Sequence, residues 1–157
     1  MKPIRIWIGV AVCTFVLSLV AAAQVKVEMK AEKVTVQNGK ELTASADKAA
    51  PGDVVQYTAV YKNPDKSPAK RVFATLPIPP ATEYVSGTGA PTGAMASTDG
   101  TNFYAIPLKR TVKNAEGKMV EQEIPVSEYR ALRWSLGDLA SGESRTVSAR
   151  VKLRTLR

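Results

Sequence analysis

The stretch RTVSARVKLR at residues 145–154 decides the fold, because its apolar and polar side chains alternate without interruption. Val147, Ala149, Val151 and Leu153 share one parity, and polar or cationic residues occupy the other. Side chains of a β-strand point alternately to the two faces of a sheet, so this period of two predicts a strand with one buried face. A register slip of one residue would bury three cations, and the orientation of the strand is therefore fixed.

The same period recurs at Asp53–Asn63, where Val55, Tyr57, Ala59 and Tyr61 occupy every second position. Further strands are predicted at Lys33–Gln37, Arg71–Leu76, Thr82–Ser86, Phe103–Leu108 and Tyr129–Leu136. No segment after the N-terminal apolar run sustains the 3.6-residue period of an amphipathic helix. About seven short strands separated by turn residues predict an all-β chain folded as a β-sandwich.

Turn dipeptides separate the predicted strands. Asn38-Gly39 indicates a tight turn, so residues 24–48 form either one early hairpin or a loosely held arm, with an edge strand near Lys33–Gln37. Asp99-Gly100 predicts a hairpin tip after which Phe103–Leu108 pairs back. Another turn is expected at residues 114–117, and Gly137 with Ser141-Gly142 is expected to bracket a tight connection.

The N-terminal segment has the three parts of a secretory signal. Lys2 and Arg5 precede an apolar run, Ile6–Val20, and the small residues Ala21-Ala22-Ala23 follow it. We expect cleavage between Ala23 and Gln24, although an uncleaved anchor is the alternative for an apolar stretch of this length. The predicted organisation is a signal peptide at 1–23, an arm or edge strand at 24–48 and a sandwich domain at 49–157. The mature chain is expected to have no transmembrane segment and to reside in the periplasm, at the cell surface or outside the cell.

Composition argues against several kinds of chemistry. The chain has no histidine, and its one cysteine, Cys13, lies within the predicted signal peptide. Histidine is the usual general base near neutral pH and the commonest metal ligand, and soft metals require thiolate or imidazole donors. We therefore predict a protein without metal or cofactor. Serine and threonine hydroxyls are plentiful, but no histidine is available to activate them, and the protein is predicted not to be an enzyme.

Two blocks of residues resemble a known family. The first is Pro51-Gly52-Asp53 with Val55, Tyr57, Asn63, Pro68-Ala69 and Leu76-Pro77, and the second is Trp134-x-Leu136-Gly137-x-Leu139-Ala140-x-Gly142-Glu143. Together they resemble the conserved-repeat domain of unknown function numbered eleven, over about Ala49 to Leu153. The resemblance implies an immunoglobulin-like sandwich of a bacterial exported or surface protein without catalytic residues. One departure is Ala74, where members commonly carry an aspartate, so any role of that aspartate in holding a cation or a turn is absent here.

Cationic residues provide the candidate binding surface. The chain has 22 basic and 14 acidic residues, and Arg150, Lys152 and Arg154 alternate along the outward face of the last predicted strand, which Arg145 begins. Such a face would contact anionic envelope polymers, although solvated charge that protects an edge strand explains it equally simply. Lys109, Arg110, Lys113 and Lys118 form a second basic group. Nucleic-acid binding is not predicted, because the chain is expected to be exported and no aromatic residues are interleaved with the cations.

Other residues have simpler interpretations. Tyr57 and Trp134 could stack on a sugar, but both occupy inward positions of their strands and are predicted to pack in the core. Glu121 and Glu123 are predicted to lie in a solvated loop rather than in a catalytic cleft.

The sequence thus predicts a non-catalytic exported module of the bacterial cell envelope. Its partner would be another envelope protein, bound through the surface or an exposed strand edge. The alternative is a binder of anionic envelope polymers that uses the cationic strand face.

Overall fold

The computed structural model describes residues 24–155. The predicted leader and its cleavage site after Ala23 lie outside the described residues. Within 24–155 the chain is all-β, as predicted, with two short 3₁₀ turns at Ala46–Lys48 and Val126–Glu128. No helix in this range combines the length and the apolar character needed to cross a bilayer. The strands are β1 Lys26–Gln37, β2 Lys40–Ser45, β3 Val54–Lys62, β4 Ala69–Pro77, β5 Thr82–Tyr84, β6 Met95–Ser97, β7 Tyr104–Ala105, β8 Lys109–Lys113, β9 Met119–Glu123, β10 Ala131–Leu139 and β11 Ser144–Leu153.

The larger sheet has five antiparallel strands in the order β2-β1-β3-β11-β5. Its central pair, β3 and β11, consists of the two segments with the strictest alternation, and both predicted strands are confirmed. Val55 pairs with Val151, and Ala59 pairs with Val147. All four side chains are buried, so the parity predicted from the sequence is the parity of the core.

Residues 24–48 are built into this sheet. β1 and β2 form a hairpin around Asn38 and Gly39, whose positive φ angles of 52° and 76° match the mirror-image turn that suits tight hairpins. β1 pairs along most of its length with β3, so the expected position of the edge strand is corrected: Lys33–Gln37 belongs to an interior strand, and β2 forms the edge. The early hairpin, one of the two alternatives, is the one formed.

The second sheet has four strands in the order β4-β10-β6-β7 and contributes the bulkiest core side chains. Leu132, Trp134 and Leu136 of β10 are buried, as predicted, in the same apolar cluster as the inward residues of β3 and β11. The two sheets therefore form a sandwich-like arrangement around one core. Gly137 was expected to bracket a tight connection, but it lies within β10 at a register shift. Its φ of 69° suits glycine, and the turn to β11 comes after Leu139.

Two hairpins complete the molecule. β6 pairs with β7 around a loop that contains Asp99-Gly100, so the predicted tip is confirmed. β8 and β9 form a separate two-stranded sheet around the turn at residues 114–117. Glu121 and Glu123 are exposed but lie on strand β9, which corrects the loop expected there. Cross-strand pairing, for example Val112 with Val120, makes a strand of a segment whose polar composition predicted a loop.

Candidate interaction surfaces

The four predicted polyanion contacts do not share one face. Arg150, Lys152 and Arg154 lie on the outer side of the five-stranded sheet, opposite in parity to the buried Val147 and Val151. Arg145 has the parity of the buried residues and lies at the end of the sandwich. The predicted cationic face therefore consists of three residues rather than four.

Arg150 is already engaged by a carboxylate of its own chain. Its Nη1 and Nη2 atoms donate to Oε1 and Oε2 of Glu41 on β2 at 2.8 and 2.7 Å, and its Nε donates to Oε1 of Gln56 at 3.0 Å. The hydrogen bonds from Arg150 lower the pKa of Glu41, so the carboxylate stays charged at neutral pH. Within the fold, Arg150 ties the edge strand to the centre of the sheet.

Arg145 also serves the fold. Its Nε donates to Oε1 of Glu143 at 2.9 Å, and its Nη1 donates to the backbone carbonyl of Leu136 on the other sheet. Among the described residues Lys152 and Arg154 have no ion-pair partner, although Glu83 lies directly across from Lys152 on β5. These two cations border an open cleft of about 560 Å³.

The second basic group lies on the β8–β9 hairpin and is largely neutralised by acidic neighbours. Lys109 contacts Glu121 at 3.2 Å, and Lys118 contacts Glu116 at 3.5 Å. A third pair joins Arg110 to Glu128 at 3.1 Å. These exposed pairs contribute little to stability, but they leave the hairpin without a strongly positive surface.

The aromatic residues weighed for sugar binding belong to the core, as predicted. Trp134 is 1% exposed, and its Nε1 donates to the carbonyl of Pro91 at 2.8 Å. Tyr57 is half-buried against the same cluster. The buried Trp134 ring therefore offers no face to a ligand.

The free edge of β4 is closed by a side chain from the opposite sheet. The hydroxyl of the buried Tyr61 accepts from the Thr75 N–H at 3.0 Å and donates to the Thr75 carbonyl at 3.2 Å. Pro77 has no N–H to offer, and the Arg71 N–H is held by Oδ1 of Asp138 at 2.9 Å. Among the described residues of β4 whose backbone groups point to the free edge, Phe73 is the one whose N–H and carbonyl both have no partner.

The free edge of β2 is open along its length. In a hairpin with a two-residue turn the flanking residues form a hydrogen-bonded pair, here Gln37 with Lys40, so the backbone groups of Glu41, Thr43 and Ser45 point away from β1. No described strand pairs with that side, and all six residues of β2 are exposed. No sequence pattern marks these residues as a binding edge, although the Asn38-Gly39 turn predicts a hairpin whose second strand can be left at the edge.

Residues of the two family-like blocks meet in space around Asn63. This side chain is fully buried, and its Nδ2 donates to the carbonyls of Ser67, Leu139 and Ala140 at 2.8, 3.0 and 3.1 Å. Its backbone N–H donates to the carbonyl of Glu143 at 2.9 Å. Asn63 thus fastens the end of β3 and the start of the loop to β4 onto the β10–β11 turn, which is a structural role.

Carboxylates with lowered pKa values hold turns in the same way. The backbone N–H of Ala50 and the Lys33 ammonium lower the pKa of Asp53. Lys70 and the Arg71 N–H lower the pKa of Asp138. Among residues 24–155 no three acidic, histidine or cysteine side chains converge as metal ligands.

No protein-family model matches the chain, and no curated protein or solved structure matches it.

Proposed function

We propose that this protein is an exported, non-catalytic, immunoglobulin-like module of the bacterial cell envelope that binds a partner protein by accepting one of its strands at the edge of β2. The observation that carries the proposal is the contrast between an open β2 edge and a closed β4 edge. The leader-like residues 1–23 support export to the periplasm or the cell surface.

The two facing antiparallel sheets support the immunoglobulin-like assignment. The positions of the family-like residues support the resemblance to the conserved-repeat domain. Pro51-Gly52-Asp53 forms the turn into β3, and the Gly52 N–H and the Asp53 carbonyl both bond to Leu153 at the end of β11. Asn63 joins the second block, as described. These residues stabilise turns and strand ends, which suits a domain that acts through its surface.

An edge strand binds a partner strand through main-chain hydrogen bonds, and the side chains beside it give specificity. At β2 the outward groups of Thr43 are flanked by those of Glu41 and Ser45, which gives a short ladder of alternating donors and acceptors. Lys40 and Glu41 place charge on this strand, and charged side chains suppress unselective pairing of edges. The edge is thus open but selective.

The alternative, binding of anionic envelope polymers, has less support. Arg150 is held by Glu41 and Arg145 by Glu143, so Lys152 and Arg154 remain as the available cations of the predicted face. A polyanion would have to displace an internal carboxylate to reach the other two.

The test is a pair of substitutions at Thr43. Thr43→Pro removes an N–H that no described residue uses, in an extended strand where proline is tolerated at the edge. Thr43→Ala retains that N–H. Envelope extract from the source cells is passed over each immobilised variant, and protection of the β2 amides from hydrogen exchange is measured on the complex.

We expect the wild-type protein and Thr43→Ala to capture the same partner and to show protected β2 amides, and Thr43→Pro to lose both. Equal capture by Thr43→Pro, or protection located elsewhere, would refute strand addition at β2. In the exported protein, mass spectrometry should find Gln24 at the N-terminus.

A further inference from the structure

Arg133 lies on the outer face of the four-stranded sheet and is held between aromatic and polar neighbours. Its guanidinium carbon lies 3.7 Å from the centroid of the Phe103 ring and 6.0 Å from that of Phe73. Its Nε donates to Oγ1 of Thr75, the residue opposite it on β4, at 3.1 Å. Stacking covers the plane of the guanidinium and the threonine fixes its rotation, so the group is held in one orientation.

Within residues 24–155 this guanidinium has no counter-charge. Arg110, Arg145 and Arg150 each pair with a glutamate. No carboxylate of the described residues pairs with Arg133, and neither of its Nη atoms has a hydrogen-bond partner there. The terminal fork, which matches the two oxygens of a carboxylate, is therefore ordered and unoccupied by the protein itself.

A hydrogen-bonded loop positions Phe103 over Arg133. Asp99 accepts from the backbone N–H groups of Thr101 and Asn102, both at 2.8 Å, and from the Asn102 side chain at 2.8 Å. Its Oδ1 also receives the Ser97 hydroxyl at 2.8 Å. These bonds, which favour the charged carboxylate, lower the pKa of Asp99 far below its ordinary value. Phe103 follows the loop directly and is thereby placed on the cation.

We propose that Arg133, with Phe73 and Phe103, binds an acidic side chain of a protein partner. The carboxylate accepts two hydrogen bonds from the Nη fork, and the methylene stem of a glutamate packs on the Phe73 ring, which is 52% exposed. Because the site is ordered before binding, little side-chain entropy is lost when the carboxylate arrives.

The surroundings favour a polypeptide over an acidic polysaccharide. Apart from Thr75, whose hydroxyl already accepts from Nε of Arg133, the residues nearest Arg133 on this face are Phe73, Met95 and Phe103, none of which has a side chain that binds hydroxyl groups strongly. A sugar ring would lose hydration of its hydroxyls without replacement, whereas a glutamate presents an apolar stem and one charged end. Phenylalanine, methionine and arginine are also enriched at protein–protein interfaces.

This site is independent of the proposed function, because it lies on the four-stranded sheet and the β2 edge belongs to the five-stranded one. Thr43→Pro leaves it intact, and changes at Arg133 leave β2 intact. A failure of one proposal can therefore be told from a failure of the other.

The test is a titration of ¹⁵N-labelled full-length protein with a soluble synthetic peptide that contains several glutamates, and with the same peptide carrying glutamine in their place. The readout is the Nε–Hε resonance of Arg133. We expect a saturable shift with the acidic peptide and none with the amide peptide. Arg133→Lys keeps the charge but loses the fork, and should weaken binding, followed through the Thr75 amide, about tenfold.

Phe103→Leu should weaken binding less than Arg133→Lys, because the cation remains but its orientation is released. Arg154→Ala removes a whole positive charge from an exposed arginine elsewhere, a larger change in net charge than Arg133→Lys makes, and should bind like the wild type. Equal weakening by Arg154→Ala would reduce the effect to net charge and overturn the site. A saturable shift with oligogalacturonate and none with the peptide would overturn the choice of partner.

Discussion

The two long free edges of this sandwich, β2 and β4, are treated in opposite ways. Along β4, the Tyr61 hydroxyl reaches across from the other sheet and binds both backbone groups of Thr75. Pro77 has no N–H, and the Asp138 carboxylate accepts the N–H of Arg71. Along β2 the outward backbone groups stay open, and the side chains other than that of Leu42 are charged or small. The closed edge of β4 borders the buried core. The open edge of β2 lies in the part of the five-stranded sheet that is farthest from that core.

The difference shows that edge protection is local and specific. The hydroxyl of the buried Tyr61 binds one residue of β4 instead of water, whereas no side chain closes the edge of β2 in this way. Natural sheets cover, bend or charge their edges to avoid unwanted pairing. Charge alone, as on β2, leaves the ladder available to a partner that fits.

The largest effect is expected from Asn63→Ala, which unfastens the loop that leads into β4. The buried Leu139 carbonyl loses its donor in the interior, the part-buried carbonyls of Ser67 and Ala140 lose theirs at its margin, and the total cost is about 2–4 kcal/mol. Chemical denaturation should show a lower free energy of unfolding by this amount. Asn114→Ala, which removes an exposed turn asparagine, is the matched control and should change stability much less. A cost for Asn63→Ala no larger than that of the control would contradict the structural role.

A smaller effect is expected from Tyr61→Phe, which keeps the ring and removes the hydroxyl that closes β4. The Thr75 N–H and carbonyl lose their partner, at a cost of about 1–2 kcal/mol. Hydrogen exchange at the Thr75 amide should accelerate, and the variant should aggregate more readily because β4 becomes an open edge. Tyr104→Phe, at a ring 64% exposed, controls for loss of a hydroxyl. An unchanged Thr75 amide would show that the edge is closed by something else.

The smallest effect is the loss of stability at low pH, which separates the contributions of the carboxylates beside the two edges. Lys70 and the Arg71 N–H lower the pKa of Asp138 beside β4, and Arg150 lowers that of Glu41 on β2. A carboxyl whose pKa is lower in the folded than in the unfolded state stabilises the protein above its unfolded pKa. That stabilisation disappears as the pH falls through the folded pKa.

Melting temperature measured from about pH 6 down to pH 2 should therefore fall for the wild type, most steeply below about pH 4. Asp138→Asn and Glu41→Gln should each flatten part of this fall. Asp138→Asn should also raise exchange at the Arg71 amide, whereas Glu41→Gln should leave the amides of β4 unchanged. Parallel curves for the wild type and both variants would mean that neither carboxylate is linked to folding.

The local sequence pattern was enough to predict the sheets, but it did not predict the side-chain contacts at their edges and strand ends. The alternation in β3, β10 and β11 identified their strands and buried faces, because period two reports directly on burial. The turns at Asn38-Gly39 and Asp99-Gly100 were found because few residues tolerate positive φ. These are properties of neighbouring residues.

The remainder depends on residues far apart in sequence. Arg150 was predicted to contact a polyanion from the outward face of its strand, yet the structure pairs it with Glu41, 109 positions away in sequence. The Tyr61 hydroxyl, the Asn63 contacts and the stack on Arg133 likewise join different strands. The part of β1 at Lys33–Gln37 was expected to lie at an edge. Its many charged side chains gave no sign that β1 pairs with β3. Side-chain partners of this kind follow from the topology, which the alternation does not specify.

The position of β11 has a consequence for the order of folding. This strand pairs with β3 on one side and β5 on the other, and Arg150 contacts Gln56 across 94 positions of sequence. The middle of the five-stranded sheet thus stays vacant until residues 144–153 have joined it. Contacts of such long range slow folding, so the chain keeps β3 unpaired on one side, and acquires its core, only late in folding.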